Sequence, residues 1–185
     1  MSDIFTERRS IRRFTNQPVE QEKLQQLYTA ARMAPSWGNR QCAELVVVCQ
    51  AETREKLSAL LSAKNPAIPC TRDAPVVIAV CGVPQRSGYY KEVQVTRYAH
   101  WFLYDVGLVS QNICLKACDL GLGSVIVGSF DHRAAELLLG VPDGCELVAL
   151  IPIGYPAHQP SAPPRREIAE FVHFEKFTGK GISQS

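Results

Sequence analysis

Between Tyr98 and Leu120 lies one long helical segment whose apolar residues nearly encircle it, and no other stretch limits the possible folds as much. On a helical wheel Asp105, Asn112, Lys116 and Asp119 fall in one narrow stripe. Trp101, Leu103, Tyr104, Val106, Leu108, Ile113, Cys114, Leu115 and Cys118 take most of the remaining circumference. Such a helix must be covered on about three sides. A single large core could cover it in a chain of 185 residues, and so could a second copy of the chain lying across one side. The second arrangement is preferred, which gives a homodimer with this helix near its interface.

Shorter elements surround it. Leu24, Leu27, Tyr28 and Ala31 follow the i, i+3, i+4, i+7 pattern of a half-buried helix that Pro35 stops. Val-rich runs at 44–49 and 75–83 read as buried strands, 53–63 as a helix, 124–127 as a short strand and 147–153 as the last core strand. A further helix at 133–139 has Asp131 as its cap. Residues 84–97 are polar and without period, which suggests a mobile loop or a short helix at a substrate entrance. Gly121-Leu122-Gly123 ends the long helix, and Gly128 serves either a positive-φ turn or the close approach of a flat ring. Residues 156–164 form a stiff Pro-rich arm, followed by Arg165, Arg166 and an alternating stretch at 168–174. No repeat or linker divides the chain, so 1–185 is expected to be one domain.

The N-terminal run Glu7-Arg8-Arg9-Ser10-Ile11-Arg12-Arg13-Phe14 sets four guanidiniums around one hydroxyl. If extended, it projects Arg8, Ser10 and Arg12 to one side and Arg9, Ile11 and Arg13 to the other, so one face can grip an anion while Ile11 packs inward. Guanidinium forks bind the oxygens of a phosphate monoester bidentately and stay charged. A solvated basic turn, or an arm touching nucleic acid or lipid, is the alternative. Net charge is only +2, from 20 basic and 18 acidic residues, so the arginines are a local device and nucleic acid is not expected as a partner. No apolar run is long enough to span a bilayer and the N-terminus is too charged for a signal peptide, so a cytoplasmic protein is expected. In the loop from Pro35 to Gln41, Asn39 and Gln41 each carry a donor and an acceptor, as the pyrimidine edge of a flavin or base requires, although Asn and Gly also serve ordinary turns. Arg165 and Arg166 could meet the same phosphate as Arg8 and Arg12.

Seven cysteines include no Cys-x-x-Cys pair, and no zinc, iron–sulfur or redox-dithiol site is expected. Cys49 and Cys81 lie in strand runs, Cys114 and Cys118 are one helical turn apart and could share a metal, and Cys42 and Cys70 lie in loops where they are expected to be the reactive thiols. There is no Gly-x-Ser-x-Gly, P-loop or dinucleotide fingerprint, and the four histidines lack acidic partners at motif spacing.

Four segments, in order, resemble the nitroreductase family of flavin mononucleotide (FMN) enzymes in its shorter form. They are Arg8-Arg9-Ser10-Ile11-Arg12-Arg13-Phe14, Ala34-Pro35-Ser36-Trp37-Gly38-Asn39-Arg40-Gln41, Gly121-Leu122-Gly123-Ser124, and Ile153-Gly154-Tyr155-Pro156 followed by Arg165-Arg166. The resemblance implies an α+β fold, a three-layer sandwich around a mixed, largely antiparallel sheet. It also implies an intertwined homodimer that exchanges residues 156–185 with the partner protomer and binds two FMN at its interface. By position, Arg8, Ser10 and Arg12 hold the phosphate and ribityl chain, with Arg9 beside them and Arg165 and Arg166 completing the site. Pro35, Ser36 and Asn39 come from the partner protomer, Asn39 at the isoalloxazine edge with Trp37 and Gln41 close by, and the backbone at Val127 and Gly128 faces N5. The implied activity is that of an oxidoreductase: NADH or NADPH delivers hydride to the flavin, and an electron-poor nitroaromatic, quinone or enone then takes it in a ping-pong cycle. The alternatives are a noncatalytic FMN storage or sensing protein, or a relative with other flavin chemistry such as dehalogenation or flavin destruction. Neither a catalytic side chain nor a metal is expected, because the cofactor reacts. Trp37 stands where the family usually has a small residue, Cys42 where proline is common, and Pro163 where relatives often carry a basic group.

Overall fold

The computed structural model describes residues 3–177. In chain order the helices are α1 (Ile4–Glu7), α2 (Gln21–Arg32), α3 (Ala51–Ala59), α4 (Ile68–Asp73), α5 (Phe102–Asp119) and α6 (His132–Leu139). The strands are β1 (Ala43–Val48), β2 (Val76–Gly82), β3 (Tyr89–Tyr90), β4 (Val93–Gln94), β5 (Gly123–Ser124) and β6 (Glu146–Gly154). The main sheet has the order β1-β2-β6-β5 with every named pair antiparallel. A parallel bridge from Ser10 to Ser124 makes it mixed.

Alternation along β2 explains the layers. Val76, Ile78 and Val80 pack with Ile151 and Ile153 against α2 and α5, while Val77, Ala79 and Cys81 pack with Leu147 and Leu150 against residues of α3, α4 and α6. Every residue of β2 is buried, as a strand covered on both faces must be, and its continuous Val-rich run is the sequence trace of that position. The result is the expected α+β sandwich of three layers.

The N-terminal segment extends the sheet edge. Ile11 N–H donates to the Ser124 carbonyl at 2.9 Å, Thr15 N–H to Tyr155 at 2.8 Å, and Ala157 N–H to Arg13 at 2.9 Å. Ile11 is buried, so the extended reading of this segment holds. Its side chain rests on Gly123, where a Cβ would lie 2.7 Å from Ile11. Gly123→Ala should therefore push the arginine segment off the edge and destabilise the fold by about 1–3 kcal/mol, the range for overpacking, read as a lower urea midpoint.

Several sequence expectations need correction. Asp105, placed on the polar stripe of the long helix, is 2% exposed. Residues 84–97 form neither a loop nor a helix throughout: a 3-10 turn at Pro84–Arg86 leads into the β3–β4 hairpin. Lys91 and Glu92 turn that hairpin with φ of 48° and 65°, the left-handed pair that Asn-Gly usually marks, so the turn carried no signal. The alternating stretch 168–174 begins with a 3-10 turn, Ile168–Glu170, closed by a capping box of Glu167 and Glu170. The expected strand at 124–127 is β5 followed by a separate bridge from Val127 to Leu150. Residues 178–185 of the expected arm lie outside the described residues.

Candidate functional site

Extension of the N-terminal segment brings the two basic clusters together. Arg8, Arg9, Ser10 and Arg12 line a cavity of about 310 Å³ with Pro160, Ser161, Pro163 and Arg165 of the Pro-rich arm. Residues 150 positions apart thus meet because the arm folds back along the sheet edge. Among the described residues no carboxylate forms an ion pair with Arg8, Arg12 or Arg165. Arg9 is different: its guanidinium turns back to donate to the carbonyls of Thr6 at 2.6 Å and Arg8 at 2.9 Å, closing the end of α1. Arg166 is not among the lining residues and lies over the Phe171 ring at 5.4 Å.

The second predicted element, the loop after α2, is held in a costly conformation. Gly38, Asn39 and Gln41 all have positive φ, at 53°, 55° and 49°. Asn tolerates this region and Gln does so at some cost, so the contacts around the loop must compensate. They converge on Asp105. Its Oδ2 accepts from Trp37 N–H at 3.1 Å, from Ser87 Oγ at 2.6 Å and from Cys42 Sγ at 3.6 Å. Ser36 Oγ accepts from Gln41 N–H at 2.9 Å and closes the turn. Asn39 is left exposed at its tip. Pro35, Ser36 and Gln41 line another cavity of about 310 Å³ with Tyr28, Asp105 and Val109; Trp37 is not among its lining residues but donates its N–H to Asp105. No residue is shared between the linings of this cavity and the arginine cavity. The chain therefore carries two separate cavities. Asp105 was missed from sequence, although it is the single charge within the otherwise uncharged run Trp101 to Val109.

Val127 and Gly128 end a short bridge to β6. Val127 N–H donates to the Leu150 carbonyl and Leu150 N–H to the Val127 carbonyl, both at 2.9 Å, so the Val127 donor is already engaged. Gly128 is exposed, its φ is not in the left-handed region, and a Cβ there would meet nothing within 4 Å. Its N–H has no acceptor among the described residues.

The cysteines correct the sequence reading. Cys42 is fully buried and Cys70 sits inside α4 at 2% exposure. Burial first, and then the neighbouring Asp105 charge, pushes the Cys42 thiol up to about 11. Burial likewise pushes Cys70 up to about 11 despite the opposing influence of Arg12. Neither is a reactive thiolate at neutral pH. Cys49, read as a core thiol, is the exposed one. Among the described residues no His, Cys, Asp and Glu group could hold a metal, and no helix is long and apolar enough to cross a membrane.

Residues 5–155 match the nitroreductase family. The FMN reductase (NAD(P)H) of Bacillus subtilis is 30% identical over 184 residues, covering 94% of this chain and 72% of that protein. The NADPH-flavin oxidoreductase of Vibrio harveyi is 29% identical over 174 residues, covering 91% and 71%. Among solved structures, a nitroreductase family protein of Clostridium difficile 630 superposes with a TM-score of 0.78 at 29% identity, over 96% of this chain and all of that one (100%). The NADPH:FMN oxidoreductase of Vibrio harveyi, solved with NAD+, gives 0.80 at 27% identity, over 95% and 76%.

Proposed function

Since the chain belongs to the nitroreductase family, we propose that it is an FMN-dependent oxidoreductase drawing hydride from NADH or NADPH and reducing an electron-poor nitroaromatic, quinone or enone by a ping-pong mechanism. The carrying observation is the cavity where Arg8, Arg12 and Arg165 gather around Ser10, with no carboxylate salt bridge to them among the described residues. Three fixed cations and a hydroxyl fit a phosphate monoester. FMN, when bound, supplies the reversible hydride chemistry that no side chain of the site offers.

The chain's own share is binding and orientation. Arg8, Ser10, Arg12 and Arg165 hold the phosphate end, and Arg9 holds α1 so that Arg8 stays in place. Arg166 supports the arm through Phe171. The Gly128 N–H, and not that of Val127, is the free donor for the reacting edge of the flavin. Its lack of a Cβ neighbour leaves room for a flat ring. Pro35, Ser36, Trp37, Asn39 and Gln41 form the opposite wall, presented across a homodimer, because within one protomer they do not reach the arginine cavity.

Surface composition supports that dimer. Along α5, Leu103 and Tyr104 are 46% and 63% exposed, and Gly107, Leu108, Leu115 and Cys118 continue the same side. Ile168, Phe171, Phe174 and Phe177 on the arm are exposed as well. Contiguous apolar exposure of this kind marks a covered interface. The whole chain is one domain in this reading, and the exposed Ile168, Phe171 and Phe174 are what its C-terminal arm offers the partner.

Anaerobic addition of NADH or NADPH to the purified yellow protein tests the assignment. Bleaching of the flavin band, and its return on adding a nitroaromatic or quinone, is expected. Bound flavin that neither donor reduces would instead favour a storage or sensing role.

A further inference from the structure

We propose that His132 is a positioning residue whose proton fixes the segment 127–129, and through it the Gly128 donor. The inference rests on the reading of that N–H as a flavin contact.

The segment is clamped at each residue, and the clamps differ in kind. Val127 is held on both polar groups by Leu150. The Ser129 carbonyl accepts from Ser62 N–H at 3.1 Å and from Asn65 Nδ2 at 3.2 Å. Between them, the Gly128 carbonyl has one partner among the described residues, His132 Nε2 at 3.2 Å. The other ring nitrogen, Nδ1, lies 2.7 Å from the Leu147 carbonyl. Both nitrogens therefore face acceptors. A neutral imidazole has one N–H and can satisfy one of the two carbonyls, leaving a lone pair against the other; an imidazolium donates to both. The ring also stacks on Phe130 with centroids 4.0 Å apart and planes 25° apart, which favours this orientation.

Charges around the ring come from two elements. On α6, Glu136 lies one turn on, accepts from Leu147 N–H at 3.0 Å and pairs with Arg133 at 3.8 Å; Asp131 is engaged as the helix cap. From β6, Glu146 lines the same cavity, while Leu103 of α5 adds only apolar surface. The loop after α3 contributes neutral Ser62 and Asn65 to the segment. The protonated ring closes this clamp on both carbonyls, and the neutral ring releases one. The shorter contact, to Leu147, keeps the proton, and the Gly128 carbonyl is the one released.

The peptide that carries the Gly128 carbonyl also carries the Ser129 N–H, which makes the clamp visible without any cofactor. Amide nitrogen and proton shifts are followed from pH 5.5 to 8 in the flavin-free protein, together with the His132 ring resonances. Ser129 is expected to move with the ring titration in the unchanged protein, and to stay still in His132→Gln, whose amide does not titrate. A Ser129 amide that ignores the ring titration in the unchanged protein overturns the proposal, whatever the variants do. The FMN-loaded protein gives the second readout, the pH dependence of its reduction by NADH. A step that tracks the ring titration is expected, lost in His132→Gln and in His132→Phe, which preserves the aromatic stack. A step that survives in both variants also overturns the control of the donor. Failure to bind FMN would count against the proposed function, and the Ser129 titration would still decide the clamp.

Discussion

Arg12→Ala is expected to lower FMN affinity about 10- to 100-fold, because a hydrogen bond to a charged group contributes about 1.5–3 kcal/mol and every 1.4 kcal/mol is tenfold. Arg12 faces the cavity that Arg8 and Arg165 share and has no carboxylate partner among the described residues, so its removal takes charge from the ligand and nothing from the protein's own ion pairs. Folding stability should accordingly stay within about 0.5 kcal/mol of the unchanged protein, as for surface changes away from packing. Fluorescence titration of the apoprotein with FMN reads the first quantity and urea unfolding the second. Arg9→Ala should show the reverse balance: its guanidinium caps the Thr6 and Arg8 carbonyls, so part of its effect arises from loosening α1. An Arg12→Ala protein that retains full FMN affinity would place the phosphate elsewhere.

Asp105→Ala is expected to destabilise the fold by about 3–5 kcal/mol, since it strands a Ser87 hydroxyl, the Trp37 N–H and the Cys42 thiol in a site with almost no solvent. The damage should spread in a defined direction. Trp37 and Cys42 flank the strained loop and Ser87 begins the approach to the β3–β4 hairpin, so one carboxylate on α5 ties both to the core. Without it the positive-φ turn at Gly38, Asn39 and Gln41 loses its anchor. The Cys42 thiol, now pushed up to about 11 by burial and by Asp105, should also become more accessible and easier to ionise. Urea unfolding measures the loss, and the rate of Cys42 alkylation reports whether the loop opened. Asp105→Asn, which still accepts hydrogen bonds, should recover part of the stability.

What was legible in the sequence was whatever periodicity or charge density wrote into it. The uniform Val-rich run of β2 announced burial on both faces, the Leu24, Leu27, Ala31 spacing announced α2, and alternation around Ile11 announced the burial of its side chain. The helical wheel misread Asp105 because a wheel assigns polarity by residue type. A carboxylate that receives three donors inside the protein is polar by type and core by location. Cys42 and Cys70 were misjudged for the related reason that loop-like sequence does not imply exposure: Cys42 is covered at the start of β1, and Ile68-Pro69-Cys70 opens a short helix with proline in its first turn. The hairpin at 89–94 escaped because its turn uses Lys91 and Glu92, which adopt left-handed backbone only under tertiary constraint. The candidate site was legible in its basic half. Its opposite wall was legible as a loop but not in its supports, which lie in α5 and at Ser87, far along the chain.

Calorimetric titration of the apoprotein with FMN and, separately, with riboflavin tests the central claim most directly, because the two ligands differ only in the phosphate proposed to sit in the cavity lined by Arg8, Ser10, Arg12 and Arg165. FMN should bind at least 100-fold more tightly, with the difference shrinking as salt is raised. Equal affinity for the two flavins would contradict a phosphate site in the arginine cavity.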